Sequence, residues 1–273
     1  MAGGFAIGGN VANLTSYGAV TASTSLTTVT AAGSANTKGA YTQITASTTA
    51  DISWLYVMLD FVPTTGSGQT CAVDIAIGAG GSEQVTINNL MCAASYYGGC
   101  QEYGFPFNIP KGTRIAARCQ SSTASKTCGV AILGASGGFT NTEGSGGVDS
   151  LGFNTATTTG TPVGAGGGAN TLSAYGQLVA STARNYTAIF GYMDFGTALE
   201  DNGWFYMMNL AFGAGGSEQI RVPNIAHDSN GEVQSWRFPF VPLFIPAGTR
   251  LAANDQANFG SGHAPNVTIY GVY

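Results

Sequence analysis

The chain has 273 residues, of which 44% are hydrophobic and only 8% charged, with 14 acidic side chains against nine basic ones and a formal net charge of -5 at pH 7. Globular proteins carry about 25% charged residues, so the polar surface here has to be built from Ser, Thr, Asn, Gln and Gly, which suits a crowded assembly or an extracellular setting better than a free cytosolic monomer. Basic residues this few and this scattered argue against nucleic acid as a partner, because neutralising phosphates takes clustered Lys and Arg.

The opening stretch, MAGGFAIGGNVANLTSYG, lacks the basic start and continuous apolar run of an export signal, and no later run approaches the length of a membrane-spanning helix. Neither Sec export nor a membrane partner is expected. Residues 1–35, rich in Gly, Ser and Thr, read as an arm that orders on a neighbour. Short segments with a period of two follow: Tyr41 to Thr45, Ser53 to Phe61, Val73 to Ile77, Gln84 to Asn88, Tyr103 to Phe107, Arg114 to Cys119 and Gly129 to Leu133. Their Thr, Val, Ile and aromatic residues suit half-buried strands, and no segment carries a sustained helical stripe. Between two of them lies GAGGSEQ (Gly78 to Gln84), whose glycines supply the positive φ angles of a hairpin connection. Neither a following helix nor a P-loop lysine is present to make it a phosphate cradle. In IPKGTR (Ile109 to Arg114) a Pro and a Gly two residues on form another turn that launches a strand.

These phrases are written twice. GAGGSEQ returns at Gly213 to Gln219, an offset of 135 (213 minus 78), AYTQITAST from Ala40 returns as AYGQLVAST from Ala174, FPF at Phe105 returns at Phe238, and IPKGTRIAA returns as IPAGTRLAA from Ile245. The fold expected is all-β: two tandem duplicated β-sandwich domains, jelly-roll-like, with an immunoglobulin-like topology left open, each preceded by a Gly, Ser and Thr-rich arm. The boundaries are an arm at 1–35, a first sandwich at 36–134, a Gly-rich linker or arm at 135–169 and a second sandwich at 170–273.

Few residues suggest chemistry. Glu83 with Arg114, and Glu218 with Arg250, recur in the repeated turns and are expected to pair as structural clamps between strand ends. His227 and His263 sit in loop-like surroundings, and no GxSxG elbow accompanies them. Asp60 with Asp194 recur in both copies, which favours structural roles, and the spacing of Glu102, Glu200, Asp201 and Glu232 does not favour a pair of glycosidase carboxylates. All five cysteines, Cys71, Cys92, Cys100, Cys119 and Cys128, fall in the first half without paired CxxC spacing, so packing is the plain reading, a bond to a neighbouring chain the alternative, and neither metal nor cofactor is expected. Tyr96, Tyr97 and Trp236 are candidate contact-loop residues, for a protein partner or a sugar ring.

GAGGSEQ leading into an apolar strand, then FPF, then IPAGTR, resembles turn and strand phrases of β-sandwich virion proteins of tailed bacteriophages. That resemblance implies a non-enzymatic virion structural protein assembled in the host cytoplasm. Within the class it implies a capsid decoration or cement protein, bound to the major capsid protein or other virion proteins and forming a homo-oligomer such as a trimer. A tail or baseplate adaptor that binds the host receptor is the alternative. An extracellular carbohydrate-binding module is the reading from a different class.

Overall fold

The computed structural model describes residues 13–20, 25–61, 69–93, 100–137, 146–194, 205–228, 235–259 and 264–273. These residues form strands and turns without a helix. In the first half the strands are β1 (Asn13–Tyr17), β2 (Ala19–Val20), β3 (Ser25–Thr30), β4 (Thr42–Thr45), β5 (Ile52–Asp60), β6 (Thr70–Ile77), β7 (Gln84–Ala93), β8 (Cys100–Ile109), β9 (Ile115–Ser121) and β10 (Thr127–Ser136). Then come β11 (Val148–Leu151), β12 (Thr161–Pro162), β13 (Gly176–Val179), β14 (Tyr186–Asp194), β15 (Phe205–Phe212), β16 (Gln219–Asp228), β17 (Ser235–Ile245), β18 (Leu251–Ala257) and β19 (Asn266–Val272).

The strands make three sheets. One runs β2-β3-β10-β5-β8 with β1 also on β10; a second runs β17-β14-β19-β11-β7-β6-β9-β4 with β12 on β19; the third runs β13-β18-β15-β16. The ladders of the two halves correspond. β6 lies between β7 and β9 as β15 lies between β16 and β18, and β5 lies between β8 and β10 as β14 lies between β17 and β19. Among the described strands every ladder is antiparallel except β11 with β7, which meet in parallel at Val148 and Ile87 and join the halves into one continuous sheet.

The turn glycines adopt the conformation that their positions demand. Gly78 and Gly81 have φ of 112° and 84°, and Gly213 and Gly216 have 115° and 82°, values that L side chains rarely adopt. A Cβ on Gly191 would lie 1.6 Å from the Phe238 ring, so this strand position needs glycine for space.

The Gly, Ser and Thr-rich leads behave differently from the arms expected. β1 and β3 pair with β10, and β11 and β12 pair with β19. This corrects the view that these stretches order only on a neighbour. Unpaired, the edges of β10 and β19 would expose a row of main-chain donors and acceptors, and the lead strands satisfy them within the chain.

Two large apolar cores result among the described residues, and they share a wall. Leu55, Val57, Ile75, Ile87, Leu90 and Phe105 are completely buried in the first. Ile189, Met193, Leu210, Ile245 and Ile269 are equally buried in the second. On β14, Ile189 and Met193 face the second core while Ala188, Phe190 and Tyr192 face the first; on β19, Val267 and Ile269 divide from Tyr270 and Val272 in the same way. The wall formed by β14 and β19 is therefore buried on both faces. Its first face closes the gap between β7 and β8, the terminal strands of the first half's own ladders. Phe190 stacks on Phe105 at 5.4 Å and on Tyr270 at 4.8 Å, and the Tyr270 hydroxyl donates to Asn89 O at 2.9 Å and accepts from Met91 N–H at 2.8 Å.

Because Phe190 belongs to both halves, Phe190→Ala is expected to lower a single cooperative melt rather than split it. The truncation should cost about 3–5 kcal/mol, which for a chain of this size is a fall of roughly 10 °C. Tyr56→Ala, at the corresponding but exposed position, should cost less than about 1 kcal/mol. Calorimetry of both variants checks this, and two separate transitions in the parent would refute it.

Candidate functional site

The two expected clamps come together. Arg114 Nη1 lies 3.0 Å from Glu83 Oε1, and Arg250 Nη1 lies 2.9 Å from Glu218 Oε1. Each arginine also donates Nε to a glutamine, Gln43 or Gln177, and Nη1 to the first turn carbonyl, Gly78 O or Gly213 O. Each glutamate accepts the N–H of the last turn glycine, Gly81 or Gly216, at 2.9 Å. Hydrogen bonds from its own amide, from the arginine and from that glycine hold each carboxyl below its ordinary value. The pairs are tucked into the turn at the rim of the sheet, so water screens them. They fasten a hairpin.

A second constellation lies on the outer face of β6, β7 and β9. Period-two alternation places Asp74 there because Val73 and Ile75 face the core. Asp74, 3% exposed, receives Lys38 Nζ at 2.8 Å, Arg118 Nε at 2.9 Å and the Asn89 N–H at 2.9 Å. Lys38 also donates to Asn89 Oδ1 at 2.8 Å. Burial pulls the Lys38 ammonium below its ordinary value, and Asp74 opposes that shift. Arg118 stacks over the Tyr41 ring at 4.7 Å. Lys38, Asp74, Asn89 and Arg118, together with Asn36, Asn88, Gln120 and Thr155, line a hollow of about 510 Å³.

The hollow is also the polar seam between the halves. Asn89 Nδ2 donates to Ser150 Oγ at 3.0 Å and Asn88 Nδ2 to Asp149 Oδ1 at 3.3 Å, while Asp149 holds Arg184 and the Tyr186 hydroxyl, each at 3.0 Å. Gln120 Nε2 donates to Thr158 Oγ1 at 2.9 Å, and Thr158 Oγ1 to Asn36 Oδ1 at 2.7 Å. The second half carries a neutral version of the hub. Asn209 faces Asn254 in the ladder as Asp74 faces Arg118, and it accepts the Asn224 N–H at 2.9 Å as Asp74 accepts that of Asn89. Asn89 and Asn224 have φ of 52° and 53°. The acceptor that holds this left-handed residue is thus present in both halves, and the charge in only one. Sequence reasoning missed the hub because Lys38, Asp74 and Arg118 are far apart in the chain; the alternation that turns Asp74 out of an apolar strand was the available signal.

Cys71, Cys92, Cys119 and Cys128 are all free and at most 1% exposed. The Cys71 thiol contacts those of Cys119 and Cys128, and Cys128 also contacts Cys92. These shared hydrogen bonds pull Cys71 below the ordinary thiol value and push Cys119 and Cys128 above it. At the matching ladder positions the second half has Tyr206, His227 and Asp255: Tyr206 pairs with His227 as Cys71 pairs with Cys92, and Met208 with Asp255 as Val73 with Cys119. His227 Nε2 lies 3.3 Å from Asp255 Oδ2, both side chains fully buried, with Tyr206 stacked on the imidazole at 5.0 Å. This corrects the loop-like reading of His227, which lies in β16 two residues after Ile225 and so on the same inward face.

Other expected residues are dispersed. Tyr96, Tyr97, His263, Glu200, Asp201 and Glu232 lie outside the described residues. Trp236 is not in a loop: its backbone pairs with Met193 in the β17–β14 ladder, because the lengthened β17 begins before the FPF phrase. Asp194 is buried and accepts from Asn266 Nδ2 at 3.0 Å, and Glu102 is exposed on β8 with its carbonyl accepting from Arg237. Among the described residues no group of His, Cys, Asp and Glu could hold a metal ion.

No family model and no curated protein matches this chain. Among solved structures it is similar to the STIV MCP, at 11% identity and a TM-score of 0.38 with 96% of each chain covered. It is also similar to the tandem CBM22-1–CBM22-2 domain of Paenibacillus barcinonensis Xyn10C, at 9% identity and a TM-score of 0.29 over 89% of this chain and 97% of that one. A Broad Bean Stain Virus chain is similar at 8% identity and a TM-score of 0.31, over 81% of this chain and 75% of that one. These scores are too low to assign a family or an activity.

Three outcomes follow from the geometry. Asp74→Ala leaves Lys38 and Arg118 without their carboxylate and should cost about 3–5 kcal/mol in chemical denaturation, whereas Asp74→Asn, which keeps the acceptor for Asn89 as Asn209 does for Asn224, should cost clearly less. The carboxyls of Glu83 and Glu218 titrate lower when folded, so their contribution is complete above the unfolded value of about 4.3 and disappears as pH falls through the folded value. The double variant Glu83→Gln, Glu218→Gln should therefore melt about 1–3 °C below the parent at neutral pH and converge with it in acid. Finally, a bulky thiol reagent should modify at most one cysteine in the native protein and all five after denaturation, because access limits buried thiols; two or more native reactions would contradict the buried cluster.

Proposed function

We propose that this chain is a non-enzymatic structural protein of a tailed-phage virion, and within that class a capsid decoration or cement protein that bridges capsid subunits. The observation that carries the reading is the join between the halves: two sandwiches share a wall packed on both faces instead of hanging on a linker, and a bridge across a joint needs surfaces held at a fixed spacing. The charge-poor composition agrees, since a protein packed into an assembly relies less on charge repulsion for solubility. The repeated turn and strand phrases supply the link to the class. Its partners are the major capsid protein or other virion proteins, together with further copies of itself, a trimer being the form to look for.

The test is immunogold or tagged-protein localisation on particles from the source of the gene. Regular labelling over the head is expected. Labelling confined to the tail would replace decoration with a tail or baseplate adaptor that binds the host receptor, and unlabelled particles combined with glycan binding by the isolated protein would replace both with a carbohydrate-binding module.

A further inference from the structure

The wall that joins the halves has a counterpart in the first half, and that counterpart is only partly covered: Trp54 packs edge-on against Phe240 of β17 at 6.0 Å and Ala131 and Ala135 are buried, whereas the Tyr56 side of the face is exposed. Register aligns the two: Leu133 faces Tyr56 on β10 and β5 as Tyr270 faces Phe190 on β19 and β14, Ala135 faces Trp54 as Val272 faces Ala188, and Ala131 faces Met58 as Thr268 faces Tyr192. In the second half the outer side chains Ala188, Phe190, Tyr192, Tyr270 and Val272 are at most 4% exposed, because they close the mouth between β7 and β8. In the first half Tyr56 is 38% exposed, Trp54, Met58 and Leu133 are half-buried, and the adjoining Leu14 on β1 is 58% exposed. The outer face of a two-layer antiparallel sandwich is normally polar. A contiguous apolar one marks an interaction surface.

The mouth has a counterpart too. β16 and β17 end their ladders as β7 and β8 end those of the first half's sandwich, and they have no further strand partner among the described residues. Where the closed mouth has Ile87 and Leu90 completely buried, the open one has Val222 half-buried and Ile225 9% exposed; Val241 and Leu243 on β17 are half-buried as well. Among the described residues each chain thus presents one plug exposed at Tyr56 and Leu14 and one mouth without a strand across it, with the fit between such surfaces already realised inside the chain.

We infer that the outer face of β5 and β10 docks into the mouth between β16 and β17 of a second copy, repeating between chains the contact that β14 and β19 make with β7 and β8 within one. Because the two surfaces differ, the contact is heterologous, and successive copies close into a ring or extend as a filament according to the rotation between them. The inference rests on the homo-oligomer part of the function proposed above and does not depend on the virion.

The experiment uses the purified full-length chain. Sedimentation velocity should show concentration-dependent association that Tyr56→Arg weakens at least tenfold while leaving the melt within a few degrees of the parent. A benzophenone amino acid in place of Tyr56 should, on irradiation, cross-link to peptides of β16 or β17 from another copy, which does not require a mouth variant to fold. Cross-links to the β5 and β10 face of the other copy, or to any third surface, would overturn the docking mode while sparing the homo-oligomer reading. A monomer at about 100 μM, where an interface with Kd of about 10 μM is largely occupied, would overturn both, and neither result bears on where the protein sits on a particle.

Discussion

The structure depends on the insertion of Phe190 and Tyr270 between β7 and β8. A sandwich whose two sheets end side by side leaves a slot into its core, and water in that slot would solvate Leu90, Met91 and Phe105. The aromatic pair fills the slot, and the Tyr270 hydroxyl meets the main chain of β7 at two points, donating to Asn89 O and accepting from Met91 N–H. A phenylalanine there could supply the bulk but would leave the β7 groups unpaired in an apolar setting, which is costly. Burial holds the Tyr270 and Tyr103 hydroxyls well above the ordinary phenol value, so both remain neutral donors.

This closure sets the arrangement of the polar groups. Once β19 lies beside β11, and β11 beside β7, the side chains of Asn88 and Asn89 meet Asp149 and Ser150, and the hub around Asp74 becomes part of a seam running from Lys38 to Arg184. The second half keeps the geometry of the hub with asparagines. Both versions supply an acceptor for a left-handed asparagine, and the first half alone has two cations and a carboxylate there.

The same contrast appears inside the cores. Cys71, Cys92 and Cys119 in one half and Tyr206, His227 and Asp255 in the other occupy matching ladder positions, and both sets are sealed. A thiol packs as a small apolar group, whereas a buried His and Asp need each other.

Much of this architecture was legible because it is local. Period-two alternation marks β5, β6 and β9, since each side chain's direction follows from its own backbone; the turn glycines mark the hairpins, since only they sit easily at positive φ; and the repeated glutamates and arginines flank the strand ends at which they meet. The leads were not legible as strands, because β1 and β3 draw their stability from the edge of β10, which lies about a hundred residues further along the chain. The hub was not legible either, as its three charges converge only when segments distant in the chain align. The clearest limit is the pair Tyr56 and Phe190. Both are aromatic, both alternate with core residues, and both point away from their own sandwich, yet one is 38% exposed and the other 4%. Alternation determines which side of a strand a residue takes; what lies beyond that side, solvent or the other half of the molecule, is decided only when the halves pack.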